Sequence, residues 1–327
     1  MRALALVKTG RVEIIDLPIP TPKSNEVLIK ITGVGICGSD LSVFFGHRDV
    51  PQYPWVMGHE AVGEIVEIGS EIRDRQIGSR VVVEPNYCCM ECGPCLSGQT
   101  SGCENRIIIG MTTPGLLADY VCVPAEFAWV APSSMPTREL VCLEPYTVGA
   151  AAFRRSRASS GQNALVVGAG STGLMLITLL IEQGLNVYFV EPHITRSELA
   201  VDLGATAHVD SNSVPYHHSF ETSGTALGME TALNLIHPGG AVTLLGLSTD
   251  PIQLTPASVV RNRLTIRGSM IYDHPVDFAS VMANPPRSLS KLLRGEFQLE
   301  DAQKAFEAAR SVPGKSWISF EKEQSGN

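Results

Sequence analysis

The sequence predicts an α/β protein in two parts: a β-rich N-terminal domain, then a doubly wound parallel sheet with helices on both faces. Three observations carry that prediction. Up to about residue 150, Val, Ile, Gly and Pro alternate in short strand-length runs bounded by turn residues. After "FRRSRASSGQN" the texture changes to apolar strand-length runs alternating with helix-length ones, the pattern of parallel strands joined by helical crossovers. A chain of 327 residues, 44% hydrophobic and 18% charged, is long enough to bury two cores of ordinary size.

Taken in order, "EVLIKITGVGI" and "AVGEIVEIG" predict strands of the first part. In the second, "ALVVGAGSTGLMLITLLIEQG" predicts a buried strand, a glycine turn and an apolar helix. "LNVYFVEP" predicts a second strand, "RSELAVDLG" a second helix, and "GAVTLLGL" and "LTIRGSM" further strands. Near the C-terminus "LEDAQKAFEAARS" has helical spacing and opens on acidic residues, as a helix start prefers. A formal charge of −8 leaves no basic patch, which argues against nucleic-acid binding. The longest apolar run, Leu174 to Ile181, falls far short of the ~20 residues a membrane helix needs. "MRALALVK" has too short an apolar stretch for a signal peptide. A soluble cytoplasmic protein is expected, in which eight cysteines serve as thiols or metal ligands rather than disulfides.

Gly168, Gly170 and Gly173 form G-x-G-x-x-G between a predicted strand and helix, where glycines let the backbone turn tightly and approach a pyrophosphate. Glu191, 23 residues after Gly168, supplies the acidic residue expected at the end of the next strand. A carboxylate there accepts both ribose hydroxyls of NAD and repels the extra phosphate of NADP, by about 4 kcal/mol per charge pair at ~4 Å in a partly screened site. NAD is therefore expected. Arg196 and His193 lie close enough in sequence to soften the repulsion, although Arg196 reads equally as a solvated helix residue.

"YCCMECGPCLSGQTSGC" holds five of the eight cysteines. Cys89, Cys92, Cys95 and Cys103 give C-x2-C-x2-C-x7-C, with Gly93, Pro94, Gly98 and Gly102 as bends, the spacing of a tetrahedral structural zinc; a disulfide pair or redox thiols are the alternative. Four thiolates would saturate that ion, so chemistry must lie elsewhere. Cys88 is surplus. A catalytic zinc needs an open position, and "ICGSD" offers Cys37, which follows a strand and begins a turn rich in Gly and Ser, while "GHEAVGEI" offers His59 and Glu60 after the strand-entering turn "YPWVMG". Taken singly, Cys37 reads as a buried thiol and His59 as a surface histidine.

With "GICGSDL", "GHEAVGEIVEIG", "GSRVVVEPNYCCMECGPCLSGQTSGC", "ADYVCVPA", "EPYTVGAAA", "VVGAGSTGL", "HPGGAVTLLG" and "IRGSM" in this order, the chain resembles the zinc-containing medium-chain dehydrogenases, the alcohol, sorbitol and threonine dehydrogenase group. The resemblance spans most of the chain to about Met270. It implies a GroES-like catalytic domain over 1–148 and 286–327 carrying a structural zinc lobe at about 86–104, with a Rossmann NAD-binding domain over 149–285. It also implies two zinc ions per chain, one structural and one catalytic, and a homodimer or homotetramer. Cys37 and His59 are implied as catalytic-zinc ligands, with Glu60 and Glu144 as the acidic candidates to complete the shell beside water. Asp40 matches the carboxylate that orients the zinc histidine, and Ser39 the hydroxyl that hands the alcohol proton on toward the cofactor ribose.

Five residues after Cys37, where many relatives carry a relay histidine, this chain has Ser42; His47 is the candidate substitute. The stretches between Ala205 and Glu221 and around Pro285 and Pro286 are shorter than the family pattern. Val43, Phe44 and Phe45 read either as an apolar substrate wall or as core. The motifs resemble the polyol and sugar branch most, implying a secondary alcohol on a polyol, sugar or sugar acid as the small-molecule substrate. "VEPHITRSELA" keeps an L-threonine 3-dehydrogenase-like oxidation of a β-hydroxy amino acid in view. A nucleotide-binding zinc protein without catalysis is the reading from another class.

Overall fold

A computed structural model describes residues 1–210 and 214–321. It divides into two compact units, Met1–Glu144 with the chain from Phe278 onward, and Pro145–Asp277. The sequence reading puts the joins at 148/149 and 285/286; the last six residues of its C-terminal segment, and three within the short Ala205–Glu221 stretch, lie outside the described residues.

The first unit is built around the strand Glu26–Gly35. One edge of this strand pairs antiparallel with Glu60–Ile68 along its length. The other edge is shared: Tyr120–Pro124 pairs with its first half and Lys315–Ser319 with Gly33 to Gly35. Leu293–Gln298 then joins Lys315–Ser319 in parallel. The C-terminal strand thus returns to the middle of a sheet begun by the N-terminal third of the chain. The Ile36 N–H donates to the Ser316 carbonyl at 2.9 Å, extending that pairing one residue toward Cys37. The cysteine segment is bracketed by a two-stranded ribbon, Asn86–Tyr87 against Ile107–Ile108.

Cys37 does not begin an open turn, as its Gly and Ser neighbours suggest; it caps a seven-residue helix, Gly38–Phe44. Asp40 accepts the Cys37 N–H at 3.0 Å, satisfying a donor that the helix start would leave free. The far end of this helix is anchored by Phe44, whose buried ring lies 5.2 Å from that of Phe306 in the helix Ala302–Ala308. Val43 and Phe44 are core residues rather than a substrate wall.

In the second unit six strands form one parallel sheet, with Asn163–Val167 at its centre beside Asn186–Val190 and Tyr216–Glu221. Across the sheet the strands run third, second, first, fourth, fifth, sixth, the doubly wound nucleotide-binding order, whose direction of winding reverses between the first and fourth strands. No helix of the described residues is long and apolar enough to cross a membrane.

Phe306→Ala should cost roughly 3–5 kcal/mol in urea unfolding, the usual loss for emptying a buried aromatic site. A loss below about 1 kcal/mol would mean that the Phe44–Phe306 contact does not anchor the Cys37 helix.

Candidate functional site

Cys37, His59 and Glu60 come together because of strand pairing. Glu60 opens the strand opposite Gly35, which puts His59 and Glu60 beside the end of the strand that leads into Cys37. One ligand atom from each of the three lies within 4.8 Å of the others. Thiolate, imidazole and carboxylate are the donors that zinc takes, and the set is compact enough to hold one ion. Glu144 lies outside it, buried in the first turn of the helix Leu143–Ser156.

The histidine is oriented from behind. Its Nδ1 faces Asp40 Oδ1 at 3.2 Å, and neither atom makes an aligned hydrogen bond elsewhere, which leaves Nε2 for the open side. Ser39 Oγ lies 3.4 Å from that Nε2. Burial alone would disfavour a positive charge on His59, but the facing Asp40, by charge and hydrogen bond, outweighs it and raises the imidazole pKa well above its ordinary value. Burial likewise works against the Asp40 carboxylate, and the charge on His59 overcomes it to lower the carboxyl pKa. The negative charge of Asp40 that stabilises a proton on this ring would equally stabilise a cation bound at Nε2, which then takes the place of the proton there.

Sequence reasoning missed Lys315. The Nζ of this lysine donates to both oxygens of Glu60, at 2.7 and 2.5 Å, and lies 3.3 Å from the Ile36 carbonyl. Lys315 and Glu60 are each 1% exposed. Burial would strip the ammonium of its proton, but the charges of Glu60 and Cys37 and the Glu60 hydrogen bond prevail and push the lysine pKa above its usual value. The only sequence signal was a lysine inside an otherwise buried run, "GKSWIS".

The second cluster is local. Cys89, Cys92, Cys95 and Cys103 present their sulfurs within 4.8 Å of one another. Gly98 turns the loop at φ +76°, and the Cys89 N–H donates to Cys103 Sγ at 3.3 Å. Backbone N–H groups of Glu91 and Cys92 lower the Cys89 pKa to about 6, which primes a thiolate. Burial and the neighbouring thiols push Cys95 up to about 12, so its proton leaves readily only in exchange for a cation. Cys88 stands outside the cluster, 3.4 Å from Met90 Sδ, and burial, reinforced by Glu84, pushes its thiol to about 11.

In the second unit the glycine turn follows Asn163–Val167 and leads into the helix Ser171–Glu182, which Gly170 caps. Gly168 takes φ +96°, and a Cβ on Gly173 would collide with the Gly168 carbonyl, so strand and helix approach closely only with glycine there. Glu191 Oε2 accepts the Ala169 N–H and Oε1 the His193 N–H, both at 2.8 Å, which pins the carboxylate beside the turn with lone pairs to spare. Arg196 is half-buried in the helix Ile194–Asp202. Ser171 Oγ, also unforeseen, is buried at the helix mouth without a hydrogen-bond partner. Free N–H groups with an unpartnered hydroxyl suit a phosphate.

Of the remaining expectations, Ser42 Oγ donates to the Gly38 carbonyl at 3.0 Å, an ordinary bond within its own helix. His47 is exposed, its ring 6.5 Å from that of Phe45, and the Arg310 guanidinium lies 5.5 Å from the Phe45 ring centre.

Comparison with known proteins agrees with this architecture. Residues 23–133 match the family described as "Alcohol dehydrogenase GroES-like domain" and residues 171–284 that described as "Zinc-binding dehydrogenase". L-galactonate-5-dehydrogenase of Escherichia coli (strain K12) is 34% identical over 276 residues, 80% of this chain and 81% of the relative. L-threonine 3-dehydrogenase of the same strain is 30% identical over 98% of this chain and 100% of its own. Among solved structures, a short chain alcohol dehydrogenase from E. coli CFT073 complexed with NADH superposes with a TM-score of 0.90 at 26% identity, covering 98% of this chain and 99% of that one.

In metal-free protein, iodoacetamide at neutral pH should label Cys89 at least ~10-fold faster than Cys88 or Cys95. Cys89 labelling should fall as pH drops below about 6, where its thiolate takes up a proton, whereas Cys88 should need pH near 11. Peptide mass spectrometry reads both. Equal rates would contradict the assigned thiolate.

Proposed function

The chain belongs to the zinc-containing medium-chain alcohol dehydrogenases, and from that premise we propose that it oxidises a secondary alcohol of a polyol, sugar or sugar acid, passing hydride to NAD. The observation that carries this reading is the convergence of Cys37, His59 and Glu60 within 4.8 Å, with the histidine turned by Asp40 so that Nε2 faces the open side. The matched relative acting on galactonate and the matched structure holding NADH support the choice of substrate and cofactor.

Zinc bound there supplies a Lewis acid that brings an alcohol's pKa toward neutrality, as it brings water's from ~16 to ~7, and NAD supplies the hydride acceptor. Cys37 Sγ and His59 Nε2 would hold the ion, with Glu60, Glu144 or water as the remaining donors. Asp40 keeps the proton on Nδ1 and fixes the ring. Ser39 Oγ, beside Nε2, would accept a hydrogen bond from the alcohol and take its proton as the serine's own hydroxyl proton passes onward. Ser42, bonded into its helix, holds no proton near neutral pH, so the outward path runs through water or His47. Cys89, Cys92, Cys95 and Cys103 would hold a second, structural zinc whose four thiolates would close its shell to substrate. Gly168, Gly170 and Gly173 would leave room for the pyrophosphate, Ser171 Oγ could donate to it, and Glu191 would accept the ribose hydroxyls, with Arg196 on the following helix tempering the charge. A homodimer or homotetramer in the cytoplasm completes the reading.

The 30% identity to L-threonine 3-dehydrogenase across nearly both full chains favours a second reading, oxidation of a β-hydroxy amino acid. An absorbance screen at the NADH band across polyols, sugar acids and amino acids, with NADP in parallel, separates the two. NAD should outperform NADP, and Glu191→Ser should narrow that preference by about 10-fold or more. Better activity with NADP would overturn the role given to Glu191, and no oxidised alcohol in protein holding two zinc ions would overturn the dehydrogenase reading.

Cys92→Ser should lose one zinc per chain and much of the stability, whereas Cys88→Ser should keep both ions by elemental analysis. Zinc loss in the Cys88 variant would mean that the ligands are misassigned.

A further inference from the structure

We propose that Arg155 is a positioning residue for the cofactor: it sets the loop after the sixth strand of the parallel sheet, and Met270 with it, against the nicotinamide half of NAD. The inference rests on the NAD reading above and goes beyond it, because that reading gives residues to the pyrophosphate and one ribose and none to the nicotinamide.

Strand register places the loop. Val167, Glu221, Leu244 and Gly268 are successive partners across the first, fourth, fifth and sixth strands, so these strands end on one level. Gly168 and Ser269, the next residues along, therefore open onto the same edge of the sheet. Three strand spacings separate them, about 14 Å at the usual ~4.8 Å each. Glu191 follows the second strand, on the opposite side of the glycine turn. A dinucleotide with its pyrophosphate at the turn and one ribose at Glu191 must send its other half over the fourth to sixth strands.

Arg155 lies in the last turn of the helix Leu143–Ser156. Its Nη1 shares two N–H groups among Ser269 Oγ and the Met270 and Ile271 carbonyls, at 3.0, 2.9 and 2.8 Å. Its Nη2 donates to Asp273 Oδ2 at 2.7 Å, and Arg154 Nη2 holds the same oxygen at 2.8 Å. Aiming two successive carbonyls at one nitrogen folds the chain back, and Ile271 takes φ +37°, a region that a β-branched residue rarely adopts. Such strain persists only where the surroundings impose it, and it clusters at ligand sites. Ser269, Tyr272 and Asp273 are buried, whereas Met270 is 44% exposed. The grip thus leaves one adaptable apolar side chain open on the edge where a flat nicotinamide ring needs an apolar surface.

Arg155→Lys tests this, because it keeps the charge and loses the planar fork that reaches four acceptors. Calorimetry on the full-length, zinc-loaded protein compares NADH with ADP-ribose, which keeps the pyrophosphate and the adenosine and lacks the nicotinamide. The variant should bind NADH about 10-fold more weakly, and ADP-ribose within about 2-fold of wild type. Its kcat should fall by about 10-fold or more, since a displaced ring is out of line for hydride transfer. A purely structural role moves the two affinities together, so equal losses, or no loss in either, would overturn the proposal. Should Arg155→Lys fail to fold, Met270→Ala decides, because the Met270 side chain makes none of the bonds above. Loss of about 3-fold or more in NADH affinity alone supports the placement, and affinities that move together or stay unchanged overturn it. Failure of the NAD reading looks different, because wild-type protein would then bind neither ligand.

Discussion

Two opposite charges sealed from water each cost several kcal/mol to desolvate, and the cost is recovered only where the pair is close and fully hydrogen-bonded. Lys315 and Glu60 meet that condition at the junction of three strands. The ammonium comes from the strand that closes the sheet, the carboxylate from the strand on the far edge of Glu26–Gly35, and Cys37 lies just past that central strand. Pairing register, glycine at position 35 and the buried ion pair therefore fix one arrangement of Cys37, His59 and Glu60. Removing the lysine alone would leave an uncompensated buried charge, whereas neutralising both partners would not.

The two metal-binding arrangements are built by different means. The cysteine lobe draws all its donors from one short loop, where Gly98 and local N–H groups shape the thiols. The Cys37 centre draws on distant strands and is supported from behind by Asp40 and Lys315. A closed shell of four thiolates stabilises a loop and excludes substrate. A centre with few donors can keep a position free and its Lewis acidity high, and here His59 and Glu60 are each held by a partner behind them.

That difference also explains what the sequence could reveal. Features whose parts lie close along the chain were legible: the C-x2-C-x2-C-x7-C lobe, the surplus Cys88, the glycine turn and Glu191. Strand and helix runs in the second unit follow the apolar pattern closely, from Asn163–Val167 to Thr265–Gly268. Cys37, His59 and Glu60 were offered by donor type, but only the resemblance joined them into one centre, since nothing local brings them together. Lys315 was missed because its partner lies 255 residues away and only strand register joins them. The helix after Cys37 was missed because Gly38 and Ser39 look like turn residues until Asp40 is seen capping it. Val43 and Phe44 read either as a substrate wall or as core, and the structure places them in the core, with Phe44 against Phe306.

Zinc-edge X-ray absorption on the zinc-loaded protein tests the central claim, that Cys37 and His59 form a second metal centre beside the cysteine lobe. Two zinc ions per chain should share five thiolates, so the spectrum should need a sulfur shell at about 2.3 Å and a nitrogen and oxygen shell at about 2.0–2.1 Å. A pure sulfur shell with one zinc ion per chain would contradict the account.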